Sequence, residues 1–278
     1  MAAPSARQLE RNAYRRRQAR RRATVAVVSS LAVFAALAAV VVTAPGWQRV
    51  RATFFSWADA RASFPSIAEA FWLNVRLFLV VELFVLILAL IVAVVRIVPS
   101  PAMMPLRVLA TLYTDLFRGL PTLLVVILVG FGFPALNLAG MPTSLFWLGA
   151  IALTLSYGAY VAEVLRAGIL SVHPTQWDSG RALGMSYWRT LWHVVLPQAV
   201  RRVTPPLIND FVSLQKDTAL LSTIGLVEAL RAATVYQART FNFTSIVVAG
   251  LFFVVVTIPL ARFTDWLVIR QMRREGGG

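Results

Sequence analysis

The sequence predicts an all-α integral membrane protein with about six transmembrane helices, and three observations carry that expectation. The chain of 278 residues is 58% hydrophobic and 14% charged, with a mean hydropathy of +0.71; a soluble domain carries about a quarter charged residues. Several apolar runs reach the length needed to cross a bilayer. Lysines and arginines crowd into alternate segments between those runs. The same composition removes other classes. There are no cysteines, hence no disulfide framework, thiolate metal site or cysteine nucleophile. Two histidines, His173 and His193, are too few for a metal cluster. The single lysine, Lys216, follows Ser213-Leu214-Gln215 with no glycine-rich loop, so the chain has no Walker motif with which to bind ATP.

The elements follow in chain order. A basic arm, residues 1–22, holds eight arginines between Arg7 and Arg22. An uncharged run, 23–44, follows directly; twenty-two residues rising about 1.5 Å each cover about 33 Å, enough for the hydrocarbon core. It reads as a retained signal-anchor helix, because it exceeds the apolar core of a cleaved signal. Residues 45–65, with Trp47, Phe54, Phe55 and Trp57, suit an extracytoplasmic segment at the membrane interface. Further spans are expected at about 77–95, interrupted by Glu82, at 119–139, 144–165, 203–227 and 243–260, with a tail over 271–278. With six spans both termini lie on one side. Of the 27 lysines and arginines, 18 fall in the segments placed inside, six outside and three within or at the ends of spans, which orients both ends toward the cytoplasm.

The stretch 168–202 holds the clearest local signals. Pro174 to Leu183 reads as a short helix opened by proline, with Gly184 just past its C-cap. Ser186 offers an N-cap for Tyr187 to Leu196, in which Trp188, Leu191, Trp192 and Val195 form an apolar stripe that Pro197 ends. Spacing alone leaves two readings open: a protrusion fitting a groove on another protein, or a hairpin lying on lipid headgroups.

Ala182-Leu183-Gly184, with Leu196-Pro197 twelve residues beyond the glycine, resembles the coupling-loop signature of the membrane subunits of ATP-binding-cassette importers. Gly184, Val194, Leu196 and Pro197 occupy its spaced positions, and Asp178-Ser179-Gly180 stands where the family has Glu-Ala-Ala. Leu116-Phe117-Arg118-Gly119-Leu120-Pro121, Tyr157 to Glu163 and Leu214 to Leu220 resemble the polar-amino-acid permeases, and among them the glutamate-importer permeases of actinobacteria. The resemblance covers about 66–270 and implies a five-helix importer-permease core plus one extra N-terminal helix. It further implies a second permease subunit, two cytoplasmic ATPase subunits that hold ATP and Mg, and an extracytoplasmic amino-acid-binding protein. No cofactor on this chain and no nucleic-acid partner are implied. The residues expected to couple to the ATPase are Asp178, Ser179, Gly180, Ala182, Gly184, Met185 and Pro197.

Charges at membrane depth are costly and commonly functional. Glu163 and Arg166, and Asp115 and Arg118, are three apart on a helix face and close enough to pair; such pairs either fix helix packing or meet substrate. Glu82 is expected to face the bundle and hydrogen-bond to a neighbouring helix. The span 203–227 holds Pro205, Pro206, Asp210, Lys216 and Asp217, too polar to face lipid along its length. Ser213, Lys216, Thr218 and Ser222 of this span, together with the in-span charge Glu163, are the candidates for a translocation path, where Lys216 would favour an anionic amino acid. Two competing readings are a membrane-embedded enzyme, which would need converging acids or histidines, and a scaffold holding anionic partners through the arginine arm, which would show steep salt dependence.

Overall fold

A computed structural model describes residues 6–98, 100–137 and 139–275. The expected arm and tail extend into 1–5 and 276–278, outside the described residues. The chain divides into two compact units, one up to Ser56 and one from Trp57.

The first unit holds α1 (Ala6–Thr43) and α2 (Trp47–Phe54). α1 has 38 residues, about 57 Å at 1.5 Å per residue, so the basic arm and the apolar run form one helix. Arg20–Thr43 is the part apolar enough to span a membrane. Its hydroxyls cause no difficulty there, because Thr24, Ser29 and Thr43 each donate to a carbonyl one turn back in the same helix.

The second unit opens with α3 (Trp57–Ile97), 41 residues long. The aromatic segment expected over 45–65 is thus divided between α2 and the start of α3, and Trp57 onward continues into the second span without a break. α4 (Met104–Gly119) and α5 (Thr122–Ile127) meet at 106°. The cause is local: Pro121 excludes the helical region for the residue before it, and Leu120 is extended at φ −95°, ψ 138°. The span expected at 119–139 is therefore the second limb of a bent pair. α5 runs on through a π turn, Leu128–Gly132, and a last turn, Phe133–Ala135.

α6 (Leu145–Leu170) is the central helix. Small residues on it, Gly149, Ala150, Ala152, Gly158, Ala159 and Ala162, are buried, which lets neighbouring backbones approach as membrane packing requires. It runs parallel to α3: Ser144 and Trp147 share a cleft with Arg76, and Arg96 reaches Glu163. The Tyr113 hydroxyl of α4 donates to the Leu155 carbonyl at 2.8 Å.

After α7 (Pro174–Ala182) come α8 (Tyr187–Thr190), a π turn (Leu191–Val195) and α9 (Leu196–Asp217). Pro197 does not end the helix as expected. The π turn closes two residues before Pro197, as the other closes two residues before Pro134. A proline inside a helix deletes one N–H donor, and widening the turn just before it re-pairs the carbonyls without breaking the helix. α9 then passes antiparallel to α6, with Val203 against Gly168 and Asp217 against Tyr157. A 3-10 segment, Thr218–Ile224, stops at Gly225, and α10 (Ala229–Thr240) and α11 (Thr244–Glu275) complete the chain. Four helices are long and apolar enough to cross a membrane, and the two bent pairs raise the number to as many as six.

Candidate functional site

The α7–α8 hairpin is built by its own sequence. His173 caps α7 by accepting from the Thr175 N–H, and Pro174 occupies the first turn, where a missing donor costs nothing. At the other end Gly184 has φ +77°; its N–H donates to the Arg181 carbonyl at 2.9 Å, and the Met185 N–H donates to the Gly180 carbonyl at 3.1 Å. That bond pair is a Schellman closure, which needs a left-handed residue at position 184. Ser186 then caps α8 by accepting from the Arg189 N–H. Trp177 stacks on Tyr187 with ring centroids 5.2 Å apart. The helices cross where Gly180 meets Thr190: a Cβ at Gly180 would lie 2.6 Å from Thr190 Cγ2. The hairpin's base is the small core of Val172, Val195 and Ala199, and Arg202 ties it to the end of α6 through the Ser171 carbonyl.

Asp178, Ser179, Ala182 and Gly184 are exposed together at the tip, as a docking element requires, and Met185 is half-buried. Gly180 is not: it is buried as the crossing point, so the glycine in the signature's third place serves packing and offers no contact. Pro197 is exposed but lies within a continuing helix, away from any return turn. The expected apolar stripe divides. Val195 enters the base, whereas Trp188 and Trp192 are 49% and 61% exposed; Leu183, not singled out from sequence, is 82% exposed.

Inside the bundle, Glu163 accepts from Arg96 at 2.7 Å and from Arg166 at 2.5 Å. Arg96 lies 67 residues away in sequence, and no local spacing links it to Glu163. Both arginines engage the Glu163 carboxylate, which clamps the ends of α3 and α6 together. No ion pair links Asp115 to Arg118 among the described residues; both are exposed on α4. Glu82 is half-buried with no hydrogen-bond partner among the described residues, so the bond expected for it does not form.

Gln215, Asp217 and Thr218 are each fastened to a different helix. Gln215 accepts from Thr257 of α11 at 2.9 Å, Asp217 accepts from Tyr157 of α6 at 2.8 Å, and Thr218 accepts from Asn74 of α3 at 3.0 Å. Asn74 also donates to Glu228, whose carboxylate caps α10 through the N–H groups of Leu230 and Arg231. Thr218, expected on the path, is 0% exposed and belongs to this buried polar knot. Of residues 215–218, Lys216 alone is exposed. It continues a row on α9 at spacings of four and three: Arg202, Pro206, Asn209, Ser213, Lys216, of which Ser213 is half-buried and the others exposed. Ser222 is half-buried and bonded to the Ala219 carbonyl. The described residues hold no group of three or more His, Asp or Glu side chains that could bind a metal.

The fold is thus a bundle of membrane-length helices with an exposed helical hairpin between two of its candidate spans. Residues 102–273 match the family described as binding-protein-dependent transport system inner membrane component. The chain is 32% identical over 210 residues to the arginine transport system permease protein ArtQ of Bacillus subtilis, covering 75% of this chain and 93% of that one. It is 33% identical over 230 residues to the glutamate transport system permease protein GluC of Corynebacterium glutamicum, covering 77% and 98%. A crystal structure of an amino acid ABC transporter with histidines superposes with a TM-score of 0.70 at 26% identity, covering 77% of this chain and 98% of its own. An inward-facing MetNI methionine ABC transporter shares the fold at a TM-score of 0.60 and 16% identity, covering 74% and 95%. The chain belongs to the polar-amino-acid ABC importer permease family. It is a multi-pass inner-membrane transport subunit and not an enzyme; ATP is handled by a separate ATPase component.

Proposed function

We propose that this permease imports glutamate, with the polar row on α9 lining the route and Lys216 drawing the anionic side chain. The observation that carries the reading is the fastening of Gln215, Asp217 and Thr218 to three other helices, which leaves Lys216 exposed on a rigid support. A polar row at membrane depth is not stable against lipid; it faces either water or a second permease subunit, identical or related, across the route. In this reading both termini and the α7–α8 hairpin lie in the cytoplasm, as the 18-to-6 distribution of basic residues favours. Two ATPase subunits grip the exposed tips, and an extracytoplasmic binding protein delivers the amino acid. The alternative cargoes are glutamine, arginine and histidine, and a cationic one would be repelled at Lys216.

The test is uptake into liposomes holding the permease, its ATPase and its binding protein. Glutamate is expected to be transported in preference to arginine. Lys216→Gln is expected to lower glutamate uptake about tenfold, the loss of one charge-assisted contact, while the ATPase still binds. Unchanged glutamate uptake in that variant removes Lys216 from the route, and arginine uptake by the wild type removes the anionic cargo.

A further inference from the structure

Two clefts on one face of α3 share a boundary at Leu73 and Arg76. The first, about 400 Å³, lies toward the start of the helix and presents Ser66 and Glu69, closed on its far side by Val227 and Ala232. The second, about 600 Å³, lies one turn deeper and is walled by Leu79, Val80, Phe146 and Trp147. The spacing 66, 69, 73, 76, 80 keeps these residues on one helix face. Chemistry changes in order along it: a hydroxyl and a carboxylate, then a guanidinium, then only apolar surface with Ser144 at its rim.

Arg76 and Glu69 are both exposed, and neither enters an ion pair among the described residues. They are two turns apart, a rise of about 10.5 Å, too far to neutralise each other directly. The apolar run of α3 begins at Leu77, so Arg76 stands at the membrane boundary, the level of lipid phosphates. Trp147, nearly half exposed beside it, is a side chain suited to that level. Such an order of charge and apolarity matches an amphiphile whose head points toward the start of α3.

We propose that this face of α3 binds a phospholipid with an ammonium-bearing headgroup, its phosphate on Arg76, its ammonium at Glu69 and an acyl chain in the groove of Leu79, Val80, Phe146 and Trp147. Arginine presents a planar fork suited to two phosphate oxygens. Glu69 supplies the selectivity: it attracts an ethanolamine head and repels an anionic head without an ammonium. The site rests on the membrane assignment of α3 and is independent of the cargo.

The experiment is native mass spectrometry of the full-length permease, delipidated in mild detergent and titrated with phosphatidylethanolamine, phosphatidylglycerol or soluble phosphoethanolamine. Wild type is expected to prefer phosphatidylethanolamine over phosphatidylglycerol about tenfold and to ignore the soluble headgroup. Arg76→Gln is expected to lose about tenfold for both lipids, with Arg76→Lys between them, since hydrogen bonds to charged groups are of that size. Glu69→Gln is expected to level the two lipids, and Arg61→Gln, four turns nearer the start of α3, to change nothing. Equal loss in Arg61→Gln and Arg76→Gln would reduce the site to general positive charge. Retained preference in Glu69→Gln, or phosphoethanolamine binding as tightly as the lipid, would overturn it.

Discussion

Replacing Gly184 separates backbone strain from charge at the hairpin tip. The residue sits at φ +77°, and a Cβ built there meets nothing within 4 Å. A side chain at this position therefore adds no clash, and the cost is conformational alone. An ordinary L residue in the left-handed region loses about 1–2 kcal/mol, and asparagine and aspartate lose less. Gly184→Ala should weaken the Schellman closure by about 1 kcal/mol, roughly fivefold in the population of the closed hairpin. Gly184→Asn should lie near wild type. Gly184→Asp has nearly the same shape as the asparagine variant, but it places a charge where the ATPase would cover it. An uncompensated charge buried at a protein contact costs about 3 kcal/mol, which corresponds to more than a hundredfold in affinity. Titrating the ATPase against permease in lipid nanodiscs, with uptake measured in parallel, gives both quantities. If Gly184→Asp binds the ATPase as tightly as Gly184→Asn, the tip is not covered and the docking argument fails.

Glu163→Gln removes the carboxylate shared by Arg96 and Arg166, and should lower the stability of the bundle by about 2 kcal/mol, seen as a depressed melting temperature in detergent; an unchanged value would mean the clamp contributes nothing. Gly180→Val puts branched carbon into Thr190, where even a Cβ lies at 2.6 Å. It should cost about 1–3 kcal/mol of hairpin packing and weaken ATPase binding although no contact residue has changed. Wild-type binding by that variant would show that the crossing angle is irrelevant.

Hydropathy was enough to locate the apolar runs, because a membrane span is a property of about twenty consecutive residues. The hairpin was equally legible: Pro174, Gly184 and Ser186 act within a few residues of themselves, and each stands where the structure uses it. What escaped the sequence depends on distance. Arg96 reaches Glu163 across 67 positions, and Asn74 reaches Thr218 across 144, so the clamp and the buried knot left no local trace. Pro197 misled for a different reason. A proline is a stop signal only if the turn before it cannot widen, and Leu191–Val195 does widen. Gly180 looked like a degraded motif position, and its purpose appears only once Thr190 is placed against it. The 106° bend at Leu120-Pro121 was visible as a dipeptide but not as an angle.

These 278 residues contain no cysteine, so a single one placed at the tip is an unambiguous probe of where the hairpin lies and what covers it. Ser179→Cys, in right-side-out membrane vesicles, should resist a membrane-impermeant maleimide until the vesicles are opened and the ATPase is stripped away. In opened vesicles that keep the assembled transporter, a bifunctional thiol reagent should crosslink it to the ATPase subunit. Labelling of intact vesicles, or labelling after opening with no crosslink to the ATPase, would contradict the account of the hairpin as the element through which the motor drives this bundle.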